Sequence, residues 1–160
     1  MKTKLIKSCL VLPTLLLSLT SVAEVNPSKF TLAIIKNATG TTDILKGKYQ
    51  EGLTKLAKLK YRKDIKFNLA TGNCVANIML DKYDQAITFC DEAIETVDDD
   101  NYLKSVAHSN RGIARFKAGD VDGALVDLNL ADQLDDNPII DGNLDVLKLK
   151  MNPLMKVASE

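Results

Sequence analysis

Apolar residues in the middle of the chain recur at three- and four-residue spacing, which predicts helices that each bury one face. Ala86, Ile87, Cys90, Ala93, Ile94 and Val97 form one such row, and Ala124, Leu125, Leu128, Ala131 and Leu134 form another. A short polar segment with a common order precedes each row. Leu80-Asp81-Lys82-Tyr83-Asp84-Gln85-Ala86-Ile87 is echoed by Ala118-Gly119-Asp120-Val121-Asp122-Gly123-Ala124-Leu125, and more faintly by Lys46-Gly47-Lys48-Tyr49-Gln50-Glu51-Gly52-Leu53. In each, a helix-ending residue and a polar one lead to Tyr49, Tyr83 or Val121, then two polar residues, then a small one. The small residue lets a second helix approach the first closely, as an antiparallel hairpin with a tight turn requires. The interval is 34 residues from Gly52 to Ala86 and 38 from Ala86 to Ala124. The extra four fall around 98–101, where they would lengthen the link between hairpins.

Self-similarity at this period resembles the tetratricopeptide repeat family, whose unit runs Trp-x2-Leu-Gly-x2-Tyr, then Ala-x3-Phe, then Pro. The match is clearest over 108–136, where Asn110-Arg111-Gly112 carries the glycine of the first helix and Ala124-x3-Leu128-x2-Ala131 the second, with Asp136 in the place of the proline. The unit at 70–98 departs further, with Ala70 for the Trp, Cys74 for the Gly and Cys90 for the aromatic. The unit containing 49–60 keeps its turn and second helix, while Asn37-Ala38-Thr39-Gly40 reads as loop where a first helix should be. The resemblance implies an all-α fold: a short solenoid of helical hairpins over 43–152, with 143–151 as a C-terminal capping helix and 153–160 as a loose tail. Residues 24–42 are expected to be an extended N-terminal segment, in which apolar 30–35 is either a short strand or a cover for the first hairpin. A generic helical bundle is the alternative architecture.

In that family the first helices of the hairpins line a groove that holds a peptide or a partner helix. The resemblance carries this role to Thr71, Val75, Ile78 and Met79 in one unit and to Ser109, Asn110, Ile113, Phe116 and Lys117 in the next. The lining would be mostly apolar and would suit an amphipathic helix or an extended peptide. Arg111 and Arg115, one turn apart, would pair with a partner carboxylate or with the nearby acidic links. His108 stands where the family places Trp, so packing is its expected role.

The first residues change the charge and cysteine arithmetic. Lys2, Lys4 and Lys7 precede uncharged 8–23, with Leu15-Leu16-Leu17 and then Ser21-Val22-Ala23, which reads as a secretory signal peptide removed after Ala23. Sixteen uncharged residues interrupted by Pro13 fall short of the roughly 20 that span a bilayer, so no stable membrane insertion is expected after removal. The Lys-rich start points to a Gram-negative periplasm. The 21 basic and 21 acidic residues then become 18 and 21, a balance that gives no general attraction to nucleic acid. Cys9 leaves with the leader, and Cys74 and Cys90 remain. Two thiols in an oxidising compartment suggest one disulfide. A hairpin turn centred near Lys82 places residue 74 opposite residue 90, and reduced thiols packed as small hydrophobes are the other possibility.

Catalytic chemistry has little to stand on. There is one histidine, no Cys-x-x-Cys, no glycine-rich phosphate loop and no serine paired with a base, so no enzyme activity, cofactor or metal is expected. The acidic runs Asp98-Asp99-Asp100 and Asp135-Asp136-Asn137 lack the alternating spacing of a calcium loop and read as solvated links. Charge is uneven along the repeat: 46–66 holds eight basic and two acidic residues, whereas 81–136 holds five and fourteen. Ends of opposite sign would orient an acidic partner or promote head-to-tail association. The expected function is a non-enzymatic protein-interaction module of the periplasm, an adaptor or assembly factor. The rival is a structural envelope protein that assembles with itself through its charged ends.

Overall fold

A computed structural model describes residues 29–35, 40–59 and 65–152. The leader at 1–23, residues 24–28, the tail at 153–160, Asn37 to Thr39 of the expected loop and the basic residues Lys60, Arg62 and Lys63 lie outside the described residues. Among the described residues the regular elements are all helices: α1 (Thr41–Leu45), α2 (Tyr49–Leu56), α3 (Lys66–Met79), α4 (Tyr83–Glu95), α5 (Asn101–Ala118), α6 (Val121–Leu134) and α7 (Pro138–Met151). Consecutive helices pack in pairs, α1 with α2, α3 with α4 and α5 with α6, and α7 closes over α6 and α5. Each pair also stacks on the next through α2 with α3 and α4 with α5. The result is the all-α hairpin solenoid with a capping helix that the repeat implied.

The three hairpin turns are built by one bond. In each, a residue with positive φ, Gly47 (79°), Asp81 (58°) or Gly119 (95°), ends the first helix. The next N–H then reaches back five residues: Lys48 to the Asp43 carbonyl at 2.8 Å, Lys82 to Asn77 at 2.9 Å and Asp120 to Arg115 at 2.9 Å. This wrap satisfies a carbonyl that the helix end leaves without a partner. It puts Tyr49, Tyr83 and Val121 at the first position of the second helices.

The four additional residues between the second and third turns lengthen a helix and not the link. α5 has 18 residues where α3 has 14. The acidic run ahead of it supplies its cap, for the Asp100 carboxylate accepts the Leu103 N–H at 3.0 Å. Asp120 caps α6 through the Gly123 N–H at 2.9 Å, and Asn137 caps α7 through the Ile139 N–H at 3.0 Å. Side-chain oxygens at these positions replace the missing intrahelical acceptors. The capping helix begins at Pro138, five residues before the expected start at 143. Pro tolerates the first helical turn because its absent N–H has no partner to lose there.

Small residues set the distance within each hairpin. Ala86 and Ala124 are fully buried. In the third hairpin Gly112 faces Ala124 and Leu128: a Cβ placed there would lie 2.9 Å from Leu128 Cγ and 3.2 Å from the Ala124 carbonyl oxygen. Gly112→Ala therefore forces α5 and α6 apart, and an expected loss of about 1–3 kcal/mol should appear in urea denaturation. An unchanged midpoint would mean that the helices separate freely at this point. The corresponding place in the second hairpin holds the Cys74–Cys90 disulfide, with Cα atoms 5.2 Å apart. It lies in an apolar cluster with Ile78, Ala86, Ile113 and Ala114. Among the described residues no helix is long and apolar enough to cross a membrane.

Candidate functional site

The first helices α3 and α5, together with α7, form one continuous face, and that face is already occupied. Residues 29–35 cross it without regular secondary structure, from α7 over α5 towards α3. Their side chains are apolar at every position from 30 to 35 except Thr31, so the segment gains by lying on an apolar surface. Phe30 and Leu32 pack against Ile78 and Ile113, while Leu32 and Ile34 pack on the cluster of Ile44, Leu69 and Val75. Ala33 and Ile35 pack on Phe67, Ala70, Val106 and Ala107. The ring of Phe30 meets that of Phe116 with centroids 5.3 Å apart, and Lys150 Nζ stands 5.9 Å from the Phe30 centroid.

An extended chain carries unpaired N–H and C=O groups, which need partners when buried. Two carboxamides supply them. Asn110 Oδ1 accepts the Ala33 N–H at 3.1 Å while its Nδ2 donates to the Ala33 carbonyl at 2.7 Å. Asn143 repeats the arrangement on Thr31, accepting its N–H at 2.7 Å and donating to its carbonyl at 2.9 Å. Asn143 Nδ2 also donates to Ser109 Oγ at 3.0 Å. Both asparagines are at most 1 % exposed, so under the segment their carboxamides depend on these bonds and not on water.

The residues expected to line the groove fall into two groups. Thr71, Val75, Ile78, Ser109, Asn110 and Ile113 are buried, and most of them sit under the crossing segment or against their own hairpin partners. Met79 is 44 % exposed and Lys117 is exposed, while Phe116 is half-buried against Phe30. Lys117 Nζ lies 5.8 Å from the Tyr83 ring centroid, which ties α5 to α4. Met79, Ile113 and Lys117 share a remaining cleft of about 300 Å³ with Lys29, Phe30, Leu32 and Lys150. Thr71 Oγ1 is buried without a hydrogen-bond partner.

Asn143, Lys150 and the crossing segment itself are absent from the expected lining. The signal for Asn143 was a polar residue inside an apolar helical row, Ile140, Asn143, Leu144 and Leu147. Asn110 interrupts Val106, Ala107, Ile113 and Ala114 in the same way. A carboxamide in such a row has to find a partner across the interface, and here the partner is backbone.

Arg111 and Arg115 point away from this face. Both bind Asp127 of α6: Arg111 Nε reaches Oδ2 at 2.9 Å and its Nη2 reaches Oδ1 at 2.6 Å, while Arg115 Nη1 reaches Oδ2 at 2.8 Å. His108 Nδ1 lies 3.1 Å from Oδ1 and, since a carboxylate only accepts, it is the donor. Arg111 Nη1 continues to Asp91 of α4 at 2.6 Å. Burial by itself would raise the Asp127 carboxyl, but the hydrogen bonds from His108 and Arg111 and the charges of Arg111 and Arg115 hold it below the ordinary carboxylate value. His108 is buried, and the ion cluster accounts for it together with packing. The cysteine sulfurs are bonded to each other in residues no more than 1 % exposed, out of reach of a substrate thiol. Among the described residues, no three His, Cys, Asp or Glu side chains group closely enough to hold a metal ion.

No protein-family model matches the sequence, and no curated protein does either. Among solved structures, the chain is similar to the NMR structure of the first TPR domain of the human RPAP3 protein, at 24 % identity and a TM-score of 0.60. The likeness covers 70 % of this chain and 86 % of that one. With the stacked hairpins, the shared turn bond and the closing helix, it shows that the chain has the tetratricopeptide-repeat fold.

Proposed function

We propose that this protein is a non-enzymatic interaction module of the bacterial periplasm, an adaptor or assembly factor that holds a segment of another protein along the face of α3, α5 and α7. The observation that carries this reading is the engagement of Asn110 and Asn143 with the backbone of an extended segment. Such paired bonds recognise a peptide chain regardless of its sequence, and the apolar pockets beside them select side chains. An amphipathic helix suits the site less, because its own N–H and C=O groups are already bonded within the helix.

The leader at 1–23 and a buried disulfide both support a secreted protein, since disulfides persist in oxidising compartments. The mature protein is then expected in the periplasmic fraction with a mass beginning at Glu24. Recovery only from the cytoplasm with the leader intact would overturn that location.

Photo-crosslinking in intact cells tests the binding role. A crosslinking amino acid at Met79, exposed at the rim of the face, should capture a defined envelope protein, while the same residue at Val126, 64 % exposed on α6, should not. Capture from Val126 alone, or from neither position, would remove the groove reading. Capture of only a second copy from Met79 would replace a foreign partner by self-assembly.

A further inference from the structure

We propose that residues 29–35 are a displaceable ligand that the protein carries for its own groove, and that the external partner is an extended segment with apolar side chains at alternate positions, running in the same direction from α7 towards α3. This rests on the reading of the groove as a peptide site.

The asparagine geometry fixes the kind of chain. Each carboxamide binds both the N–H and the C=O of one residue, and the two residues read, Thr31 and Ala33, are two apart. Two residues is the repeat of an extended chain, whose alternate side chains turn to the same side. Phe30, Leu32 and Ile34 then share a side and enter successive apolar clusters along the face, Phe30 beside Leu144 and Leu147 and Ile34 beside Ile44 and Leu69. A segment with this alternation satisfies the same carboxamides and fills the places of Phe30, Leu32 and Ile34, while those of Ala33 and Ile35 on Phe67, Ala70, Val106 and Ala107 add a call for small or apolar side chains between them.

The segment is fastened as a ligand is, and not as a layer of the core. It has no helix or sheet bonding of its own, Thr31 is exposed, and Phe30, Leu32, Ala33, Ile34 and Ile35 are only partly buried. Beneath it Ile78, Ile113 and Ala107 are almost completely buried, between their own helices and the segment. Segments with few fully buried contacts open locally at lower cost than the whole molecule. Once open, the face presents to water an apolar surface and two carboxamides whose bonds to the segment are unmade, a state that favours rebinding of the segment or capture of another. An incoming chain has a foothold in the cleft beside Phe30, where Met79, Ile113 and Leu32 leave about 300 Å³ and Lys29, Lys117 and Lys150 stand around it.

A competitor present on the same chain lowers apparent affinity by the fraction of molecules that are open. The test uses the full mature chain and a fluorescent synthetic peptide of residues 29–36, read by anisotropy. Ala33→Pro removes the N–H that Asn110 accepts, so this variant should bind the peptide about tenfold or more tightly than the parent protein, by the same open-fraction argument. Adding Asn110→Leu should abolish the gain. An Ala33→Pro protein with native helical circular dichroism and no gain in binding would overturn the proposal. Amide exchange in the unaltered protein decides the matter independently of how that variant folds. The Thr31 and Ala33 amides should exchange about a hundredfold or more faster than those of Ile113 and Leu128, as local opening requires. Equal protection would show that the segment leaves only on global unfolding and would end the idea. Peptide gain without any envelope crosslink from Met79 would leave the displaceable segment standing and remove the adaptor reading. A Met79 crosslink without peptide gain would do the reverse.

Discussion

Asp127→Ala should lower the unfolding free energy by about 3 kcal/mol, the low end of what removing one member of a buried ion pair costs. The carboxylate is almost fully buried and receives Arg111 through two bonds, Arg115 through one and His108 through one. Bidentate guanidinium contacts of this kind are the strong form of the hydrogen bond. Without Asp127, Arg115 retains a 3.8 Å contact to exposed Asp120 and a 3.5 Å bond to the Gly123 carbonyl, and Arg111 keeps Asp91, which is itself 45 % exposed at the side chain. The two cations are then left partly desolvated on the seam between α5 and α6. Asp91→Ala removes the solvent-exposed end of the same chain of charges and should cost under about 1 kcal/mol. Equal losses in urea denaturation of the two variants would show that burial is not what gives Asp127 its weight.

The pH dependence has a definite sign. Asp127 is held below its ordinary value in the folded protein, so its contribution is complete above the unfolded carboxyl value of about 4. It disappears as pH falls through the folded value, because protonation then costs the native state more than the unfolded one. Stability curves of the parent protein and Asp127→Ala should therefore run parallel near neutrality and converge in acid. Curves that stay parallel down to the acid transition would dissociate Asp127 from acid unfolding.

What could be read from the sequence was whatever depends on neighbours along the chain. Tyr49, Tyr83 and Val121 mark the bends because a positive-φ residue, a wrapped hydrogen bond and a small residue five positions past the bend's first glycine or aspartate are all local requirements. The facing of Cys74 and Cys90 followed from the centre of one such turn. The four inserted residues were misplaced because acidic Asp98 to Asp100 looks like a link, while an aspartate run is also a helix cap. The early start of α7 was missed, and Pro138 begins the helix because it occupies the one turn that tolerates it.

The partner of Arg111 and Arg115 lies in Asp127, inside an otherwise apolar helix row beside Leu128, and not in the acidic links that stood out by composition. The groove was the least legible part. Its lining residues belong to α3 and α5, but what covers them comes from residues 29–35, as many as 112 positions away in the case of Thr31 and Asn143. Repeat periodicity describes contacts between adjacent units, and a segment lying across several units leaves no period to detect.

Loss of the Cys74–Cys90 bond is the other large effect, about 3 kcal/mol for a loop of this length in the chain-entropy account. The bond joins α3 to α4 across a separation of 16 residues, where the next hairpin places Gly112 against Leu128. Cys74→Ala with Cys90→Ala should keep the helical spectrum and shift the urea midpoint down, since the two methyl groups leave the apolar surroundings of Ile78, Ala86 and Ile113 intact. Both cysteines are almost wholly covered, so a reductant reaches the bond only when the hairpin opens. Dithiothreitol should then release thiols slowly from the native protein and quickly in urea. It should lower the midpoint of the parent chain and leave the double alanine variant unaffected. A double variant as stable as the parent would mean that stacking of the repeats alone holds this hairpin, and that the protein would be equally stable in a reducing compartment.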